Sequence, residues 1–379
     1  MVLDAARPFG LVIYDRTLGV NSDEYGFPDR FAPHIKGRLP YDQVIAVYKR
    51  HRVFLNVNSV VDSPTMFSRR VFELLACGTA VLSTESVGIS AMFGDLVPIV
   101  ESPEQAKTEL KRLLHDDTYH AELTGRARRL VLSEHTYRQR LAGIAKTAGF
   151  ELSSTAGEEI GALALIDEPS GLRSIAAALL AQSRAPEEIL VGLGMQSDIG
   201  GGVDRLVERF GAERVRTVVQ EESTDRHERW RELAALTTAS WVAPLTPGAP
   251  YGEHHLRDLS GCTTFASADV IGVAPAEAQA HRYVKSAPPA AALSTRALIA
   301  QHGWMEDVSQ QRRWFEDGVR FYAGEPESTL GPSSPAATRA GPSAVGGPAR
   351  GSAEVGGAPG VGPAETGNTP RFSRRTRRR

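Results

Sequence analysis

Short apolar, β-branched-rich runs alternate with amphipathic segments through the first 150 residues. Three of these runs predict strands, at residues 10–14, 53–59 and 79–83. Because apolar residues recur at helical spacing between them, the pattern predicts a parallel sheet with crossover helices. An amphipathic helix is also predicted at residues 104–114, and Thr136 with Gln139 predicts a capping box for a last helix through Lys146.

The same alternation resumes near residue 160. Strands are predicted at residues 161–166, 187–193, 215–220 and 240–245. Helices are predicted at residues 171–183, 203–211 and 226–236. The chain is therefore predicted to be an α/β protein with a first domain at residues 1–148, a linker at 149–158 and a second α/β domain at 159–324.

From about residue 325 the apolar pattern ends. Residues 325–379 are rich in Gly, Pro, Ala, Ser and Thr and contain almost no large apolar side chains. Such a segment buries too little surface to offset its ordering entropy, so we predict that this C-terminal tail is disordered. Six of its last nine residues are arginine. This end is either solvated or weakly attracted to RNA or anionic lipid.

Composition narrows the class of protein. The 379-residue chain is 41% hydrophobic and has a formal net charge of −2, which supports real cores and requires no specific nucleic-acid partner. Its two cysteines, Cys77 and Cys262, have no metal-ligand spacing and are expected to be buried free thiols. We find neither a charged-then-apolar leader nor an apolar run long enough for a membrane span, so we expect a cytoplasmic protein.

The most informative stretch is SPTMFSRRVFELLACGTAVLST, residues 63–84, which follows the predicted strand at 53–59. Ser63 or Ser68 is suited to cap a helix there, with Pro64 at a first helical position. One apolar stripe follows at helical spacing, made of Phe67, Val71, Leu74 and Leu75. Gly78 is placed to end the helix. The stretch thus predicts strand, polar loop, helix and strand.

A helix start of this kind suits a diphosphate, because free amides and positive charge converge there. The candidate phosphate contacts are Ser63, Thr65, Ser68, Arg69 and Arg70. Glu73 lies roughly 7 Å along the axis from Ser68 and can accept hydrogen bonds from ribose hydroxyls. Arg70 and Glu73 are also placed for an ordinary surface ion pair between residues three apart.

These motifs resemble the donor half of a GT-B glycosyltransferase, in particular the C-terminal domain of the CgeB-like spore maturation group. The resemblance covers residues 10–148. It implies that Glu73 contacts the nucleotide ribose and that Arg70 belongs to the R-x-x-E spacing; Thr65 stands where many relatives have another glutamate. It also implies that the loop with Gly37, Leu39 and Tyr41 packs against the base. Tyr41 either stacks on the base or is an ordinary core aromatic.

Residues 159–324 resemble a degenerate GT-A domain of the family 2 type. Where that family has a D-x-D cluster, this chain has LTPGA, and Asp198 is displaced from the other expected aspartate. Divalent cations prefer carboxylate ligands, so we expect no metal site here. Glu253, His254 and His255 with Asp258 form a polar cluster that we interpret as a solvated helix face.

The leading hypothesis is a glycosyltransferase that uses a nucleotide-sugar donor, a carbohydrate or glycoconjugate acceptor, no metal and no cofactor. The N-terminal GT-B half, which usually holds the acceptor, is expected to have been lost, to lie on a separate chain or to precede residue 1, so we name no catalytic base. The alternative is a non-catalytic nucleotide-sugar-binding or scaffold protein. A dinucleotide enzyme ranks last, because the glycine-rich run at residues 199–202 does not form G-x-G-x-x-G after a strand.

Overall fold

Two β-sheets with helices on both faces organise the described part of the chain. The computed structural model describes residues 1–19, 26–150, 152, 158–194, 201–221, 225–275 and 280–326. The smaller sheet is built from residues before 150 and the larger from residues 160–326. Both sheets belong to one compact unit, Met1–Ser333, whereas Ser334–Arg379 lie wholly outside the described residues.

The first sheet and its helices come first in the chain. The helices are α1 (Val2–Ala6), α2 (Val44–Arg50), α3 (Arg70–Ala76), α4 (Val87–Phe93), α5 (Pro103–His115), α6 (Asp117–Glu134) and α7 (Tyr137–Thr147). The strands are β1 (Val53–Asn56) and β2 (Ala80–Ser83). They pair in parallel, from Val53 opposite Ala80 to Asn56 opposite Ser83.

Side-chain alternation along β2 divides the first core into two layers. Val81 packs with α3, α4 and α6, whereas Ala80 and Leu82 pack with α1 and α5 on the opposite face. Every residue of β2 is buried. A strand covered on both faces reads as a continuous apolar run, which explains the AVLS sequence.

Most predictions for this part are confirmed. Strands lie within 53–59 and 79–83, α5 covers the helix predicted at 104–114, and the Thr136–Gln139 capping box is present at the start of α7. The predicted strand at 10–14 was wrong: Ile13 makes only an isolated parallel bridge with Ile35. Its backbone bonds run to residues 34–37, so this segment joins the glycine loop.

The larger sheet has eight strands. They are β3 (Ile160–Ile166), β4 (Glu188–Gly194), β5 (Val215–Gln220), β6 (Trp241–Leu245), β7 (Val270–Ala274), β8 (Arg282–Val284), β9 (Ala292–Thr295) and β10 (Phe321–Pro326). Its helices are α8 (Pro169–Leu180), α9 (Gly202–Phe210), α10 (Arg226–Leu236), α11 (His255–Cys262), α12 (Arg296–His302) and α13 (Val308–Glu316).

The strand order is β5-β4-β3-β6-β9-β7-β10-β8. Strands β3 to β6 pair in parallel, while β9 is antiparallel to both β6 and β7, and β8 is antiparallel to β10. Alternate residues of β3 face opposite layers: Ile160 and Ile166 pack with α8, α9 and α11, and Leu163 with α10, α12 and α13. The sheet is therefore covered on both faces.

All seven elements predicted between residues 161 and 245 are present. The tail boundary was wrong at its first residues, because Glu325 lies buried in β10. The remainder of the predicted tail, residues 327–379, lies outside the described residues. Cys262 is buried as expected, whereas Cys77 is only half-buried.

Two buried ion pairs join α6 to the larger sheet and its helix α11. Arg128 donates from Nε and Nη2 to the two Glu325 oxygens at 2.5 and 2.9 Å. Arg129 donates in the same two-pronged way to Asp258, at 2.7 Å for each bond. The Arg128 guanidinium also covers Gly78, where an added Cβ would lie 2.3 Å from Nη1. Arg128 therefore contacts both the turn after α3, at Gly78, and β10, at Glu325.

No helix within the described residues combines the length and apolar character needed to cross a bilayer.

The Arg128–Glu325 pair predicts an acid-dependent loss of stability. Burial alone raises the pKa of Glu325, but Arg128 and His281 outweigh it and lower the pKa from 4.5 to about 2. The carboxylate therefore stabilises the fold above pH 4.5, and this contribution is lost as pH falls from 4.5 through 2. Glu325→Gln should lower the free energy of unfolding by about 3 kcal/mol at neutral pH, measured by urea denaturation.

Glu316→Gln is the matched control, because Glu316 is 60% exposed and pairs with an 82% exposed Arg312. It should change the free energy of unfolding by less than about 0.5 kcal/mol. The difference between wild type and Glu325→Gln should shrink from pH 4.5 towards pH 2. A difference that stays constant over that range would contradict the role assigned to Glu325.

Candidate functional site

A polar network closes the carboxyl ends of β1 and β2, the edge at which open parallel sheets bind ligands. Asn56 and Asn58 both donate to the Ser83 hydroxyl, at 2.9 and 3.0 Å. Asn58 also donates to the Thr84 carbonyl at 3.0 Å. Sequence analysis did not identify these residues as part of the site. The signal was present as polar side chains directly after two buried apolar strands.

Helix α3 starts later than predicted. Its N-cap is Arg69 and its first residue is Arg70, so Pro64 is not in the helix and neither serine is the N-cap. The Ser68 hydroxyl still accepts a hydrogen bond from the Arg70 backbone N–H at 3.3 Å. Ser63 accepts from the Met66 N–H at 3.2 Å and closes a turn within the loop. The polar loop is therefore longer, and the helix shorter, than we expected.

The loop rests on the first turn of α4. The Val87 N–H donates to the Val61 carbonyl at 2.8 Å. A Cβ added at Gly88 would lie 3.1 Å from the carbonyl oxygens of Ser63 and Pro64, so a larger residue there would push the loop outward by a few tenths of an ångström. Thr65 is exposed on the outer side of the loop. The loop is thus held at its base and open to solvent beyond it.

Both carboxylate oxygens of Glu73 have partners. Arg69 Nε donates to one at 2.9 Å, and the Tyr48 hydroxyl donates to the other at 3.5 Å. The alternative interpretation, an ion pair between Arg70 and Glu73, was wrong: Glu73 pairs with Arg69, four residues away. A carboxylate can accept about four hydrogen bonds, so Glu73, which is 32% exposed, has acceptor capacity left for a ligand.

A cavity of about 400 Å³ opens beside these residues. It lies between residues 10–14 and β1, which pair with different neighbours and leave a gap in the sheet. Two sequence candidates, Leu39 and Arg70, line it, together with Arg16. The structure therefore brings the glycine loop and the start of α3 to one space.

Four rings form one wall of this cavity. Tyr14, His51, Phe54 and Tyr48 follow each other edge to face, with neighbouring centroids 6.4, 5.9 and 5.3 Å apart. His51 Nε2 is buried and has no hydrogen-bond partner among the described residues. Burial raises the pKa of Tyr48, and Arg70 opposes that rise, so its hydroxyl remains a proton donor at neutral pH. An apolar wall with unmatched polar atoms suits a flat heteroaromatic ligand.

The three candidate residues of the glycine loop, Gly37, Leu39 and Tyr41, have different environments. Gly37 has a φ of +105°, a conformation that disfavours other residues, and its carbonyl accepts from the Asp15 N–H at 2.9 Å. Leu39 then reaches the cavity. Tyr41 is 85% exposed, so the interpretation as a core aromatic was wrong.

In the larger sheet the strand order reverses between the parallel neighbours β3 and β6, and an ion-pair cluster follows the carboxyl end of β3. Asp167 accepts from Arg226 at 2.8 Å and from Arg229 at 2.7 Å. Arg226 also binds Glu306 at 2.7 Å. Asp198 lies outside the described residues. Arginines thus occupy the position at which a donor-binding α/β sheet would need free carboxylates.

We expected the polar cluster at the start of α11 to form a solvated helix face, and this interpretation was wrong. Asp258 is buried against Arg129, and His255 is buried. His254 Nδ1 lies 2.7 Å from the Ser183 hydroxyl. Across the described ranges, no group of three or more His, Cys, Asp or Glu side chains is arranged to hold a metal ion.

The network at the carboxyl ends of β1 and β2 predicts a stability effect. Ser83→Ala removes a buried acceptor shared by Asn56 and Asn58, and it should lower the free energy of unfolding by about 1–2 kcal/mol. Ser90→Ala, on the exposed side of α4, is the control and should be neutral or slightly stabilising, since alanine favours helix. Equal effects in urea denaturation would show that the network does not hold this edge.

A family model matches the first part of the chain. Residues 10–146 match the family model described as glycosyl transferase-like. No curated protein matches the chain. Solved structures with some likeness include a mannosyltransferase, PcManGT from Pyrobaculum calidifontis, in complex with GDP-Man and Mn²⁺. It is 13% identical, with a TM-score of 0.35 over 50% of this chain and 62% of that one.

Another is residues 1–349 of S. aureus TarS, at 10% identity and a TM-score of 0.30 over 44% of this chain and 60% of that one. The chain spans less than two thirds of either structure. Residues 10–146, just over a third of the chain, are thus similar to the glycosyl transferase-like family.

Proposed function

We propose that the cavity beside α3 binds the nucleotide-sugar donor of a glycosyltransferase reaction. One observation carries the proposal: an aromatic wall and a guanidinium line one space of about 400 Å³, next to a part-exposed carboxylate. These groups match the three parts of a nucleoside diphosphate, namely base, phosphates and ribose. They also lie within the residues that match the glycosyl transferase-like model.

In this proposal each part of the donor has its own contacts. The base lies against the ring wall near His51, whose unpartnered Nε2 can hydrogen-bond its edge. Leu39 contacts the base from the glycine loop, Gly37 gives that loop its turn, and the exposed Tyr41 ring covers it from outside. The ribose hydroxyls donate to Glu73.

The diphosphate lies between Arg70 and the loop before α3. Arg70 lines the cavity, and Ser68 precedes the helix with its hydroxyl beside the Arg70 N–H. Arg69, Ser63 and Thr65 complete the polar surface. Transfer leaves negative charge on the departing nucleoside diphosphate, and a preplaced guanidinium stabilises that charge without a metal ion. The acceptor is a carbohydrate or glycoconjugate.

We further propose that residues 159–324 act as a second domain that does not bind the donor. Asp167 is engaged by Arg226 and Arg229, and residues 246–249, directly after β6, include no carboxylate. This domain then serves to hold the acceptor or as a scaffold. The same observation favours a second candidate function, in which the chain binds the nucleotide sugar or serves as a scaffold without transfer. In the leading proposal, a separate chain can supply the other GT-B half.

A thermal-shift screen with UDP-, GDP-, dTDP- and CDP-sugars tests donor binding. A ligand that binds only the native state raises the melting temperature by mass action, so one nucleotide class should stand out. Release of free nucleotide from that donor by the purified chain would support transfer or hydrolysis. Saturable binding without release would favour the binding function, and no shift with any donor would contradict both.

Glu73→Gln should weaken the binding of that donor by about 1–3 kcal/mol, the scale of a hydrogen bond to a charged group. Glu122→Gln is the matched control, since Glu122 is an exposed helical carboxylate of α6. Calorimetry of folded proteins measures both. Unchanged affinity in Glu73→Gln would remove Glu73 from the ribose site.

Adding Mn²⁺ distinguishes donor binding in the cavity beside α3 from metal-dependent donor binding in residues 159–324. Because Arg70 is the cavity-lining guanidinium at the start of α3, where the diphosphate is proposed to lie, Arg70→Ala should lower donor affinity at least tenfold, and adding Mn²⁺ should not restore it. Metal-dependent donor binding that survives in this variant would place a donor site in residues 159–324 and overturn the proposal for that domain.

A further inference from the structure

A second cavity, of about 200 Å³, lies where α6 meets the larger sheet. Its walls come from α6, from the segment after α8, from α11 and from β10. Its polar lining residues are arginines, carboxylates, serines and a histidine: Arg128, Arg129, Ser133, Ser183, Arg184, Arg257, Asp258, Ser260, His281 and Glu325. None of the proposed donor contacts is among them.

The charges of this lining do not cancel. Glu325 and Asp258 each receive two hydrogen bonds from one arginine and are neutralised by it. The Arg184 guanidinium donates to the Ser260 hydroxyl and to the Glu158 carbonyl. It also donates to the Glu187 carboxylate, which does not line the cavity. The Arg257 carbonyl accepts from the Ser260 hydroxyl at 3.0 Å, but the Arg257 guanidinium has no hydrogen-bond or ion-pair partner among the described residues. The cavity lining therefore carries a net positive charge. Within the described lining, the charge on Arg257 is the one that no carboxylate neutralises.

Size limits what the cavity can hold. At about 30 Å³ per water molecule, 200 Å³ is the space of six or seven waters. A tetrahedral oxyanion fits in this space with water to spare. Guanidinium groups match phosphate oxygens in geometry and charge, and serine hydroxyls can donate to the remaining oxygens.

We propose that this cavity is a binding site for a small oxyanion of the phosphate class, either inorganic phosphate or the phosphate end of a small ester. Arg257 supplies the uncompensated charge, and Ser183 lines the opposite edge. The anion would touch α6 on one side and α11 on the other, so its binding reinforces the junction made by the Arg129–Asp258 pair. This site is independent of the proposed donor site.

The test is calorimetry of the full chain with inorganic phosphate and, separately, with glycerol 3-phosphate, at constant ionic strength. Both should bind saturably and raise the melting temperature. Arg257→Ala should weaken binding at least tenfold, because a charged hydrogen bond is lost. Tighter binding of the ester than of inorganic phosphate assigns an organic phosphate; the reverse assigns the free anion.

Two matched variants locate the binding. Arg126→Ala removes the same charge from α6, but Arg126 pairs with Asp95 and does not line the cavity. Arg70→Ala removes the guanidinium proposed to bind the diphosphate in the donor cavity. Both should bind phosphate as wild type does. Absence of saturable binding, or equal affinity in Arg257→Ala and Arg126→Ala, would overturn the proposal, and loss in Arg70→Ala alone would place the phosphate in the donor cavity.

Discussion

The architecture depends on buried guanidinium–carboxylate pairs that join α6 to the larger sheet. Arg128 and Glu325 are 10% and 8% exposed, and both Glu325 oxygens are engaged. A buried charge without its partner is strongly destabilising, so these pairs fix the contact geometry more than they add net stability. Because Arg128 also lies over Gly78, the contact reaches the turn between α3 and β2. The position of α3 is thus set partly by the larger sheet.

That constraint explains how a short helix can hold a site. Helix α3 has only seven residues and no side-chain cap, and marginal helices depend on tertiary packing. Its inner face packs through Val71, Leu74 and Leu75 against Val81, and its last turn is covered by Arg128. Its outer face is therefore free to present Arg69, Arg70 and Glu73.

The sequence predicted local order well and distant contacts poorly. Alternation and capping residues located β1, β2, α5 and α7, because these signals act over a few neighbouring residues. The start of α3 was misplaced, since the loop before it is shaped by the close approach to Gly88 of α4. Asp258 was interpreted as solvated because its partner, Arg129, is distant in the chain. The cavity itself follows from a gap in strand pairing that no local pattern shows.

The two neighbouring arginines, Arg69 and Arg70, have different contacts. Arg69 is held by Glu73 at 2.9 Å, whereas Arg70 lines the cavity beside Tyr48. In a seven-residue helix the aligned peptide dipoles are few, so a guanidinium must supply most of the positive potential at the helix start. A surface pair like Arg69–Glu73 is worth a few tenths of a kcal/mol, so a ligand hydroxyl can displace it at little cost. In the proposed donor site, Arg70 therefore holds the anionic diphosphate, and Glu73 selects the hydroxyl-bearing group attached to it.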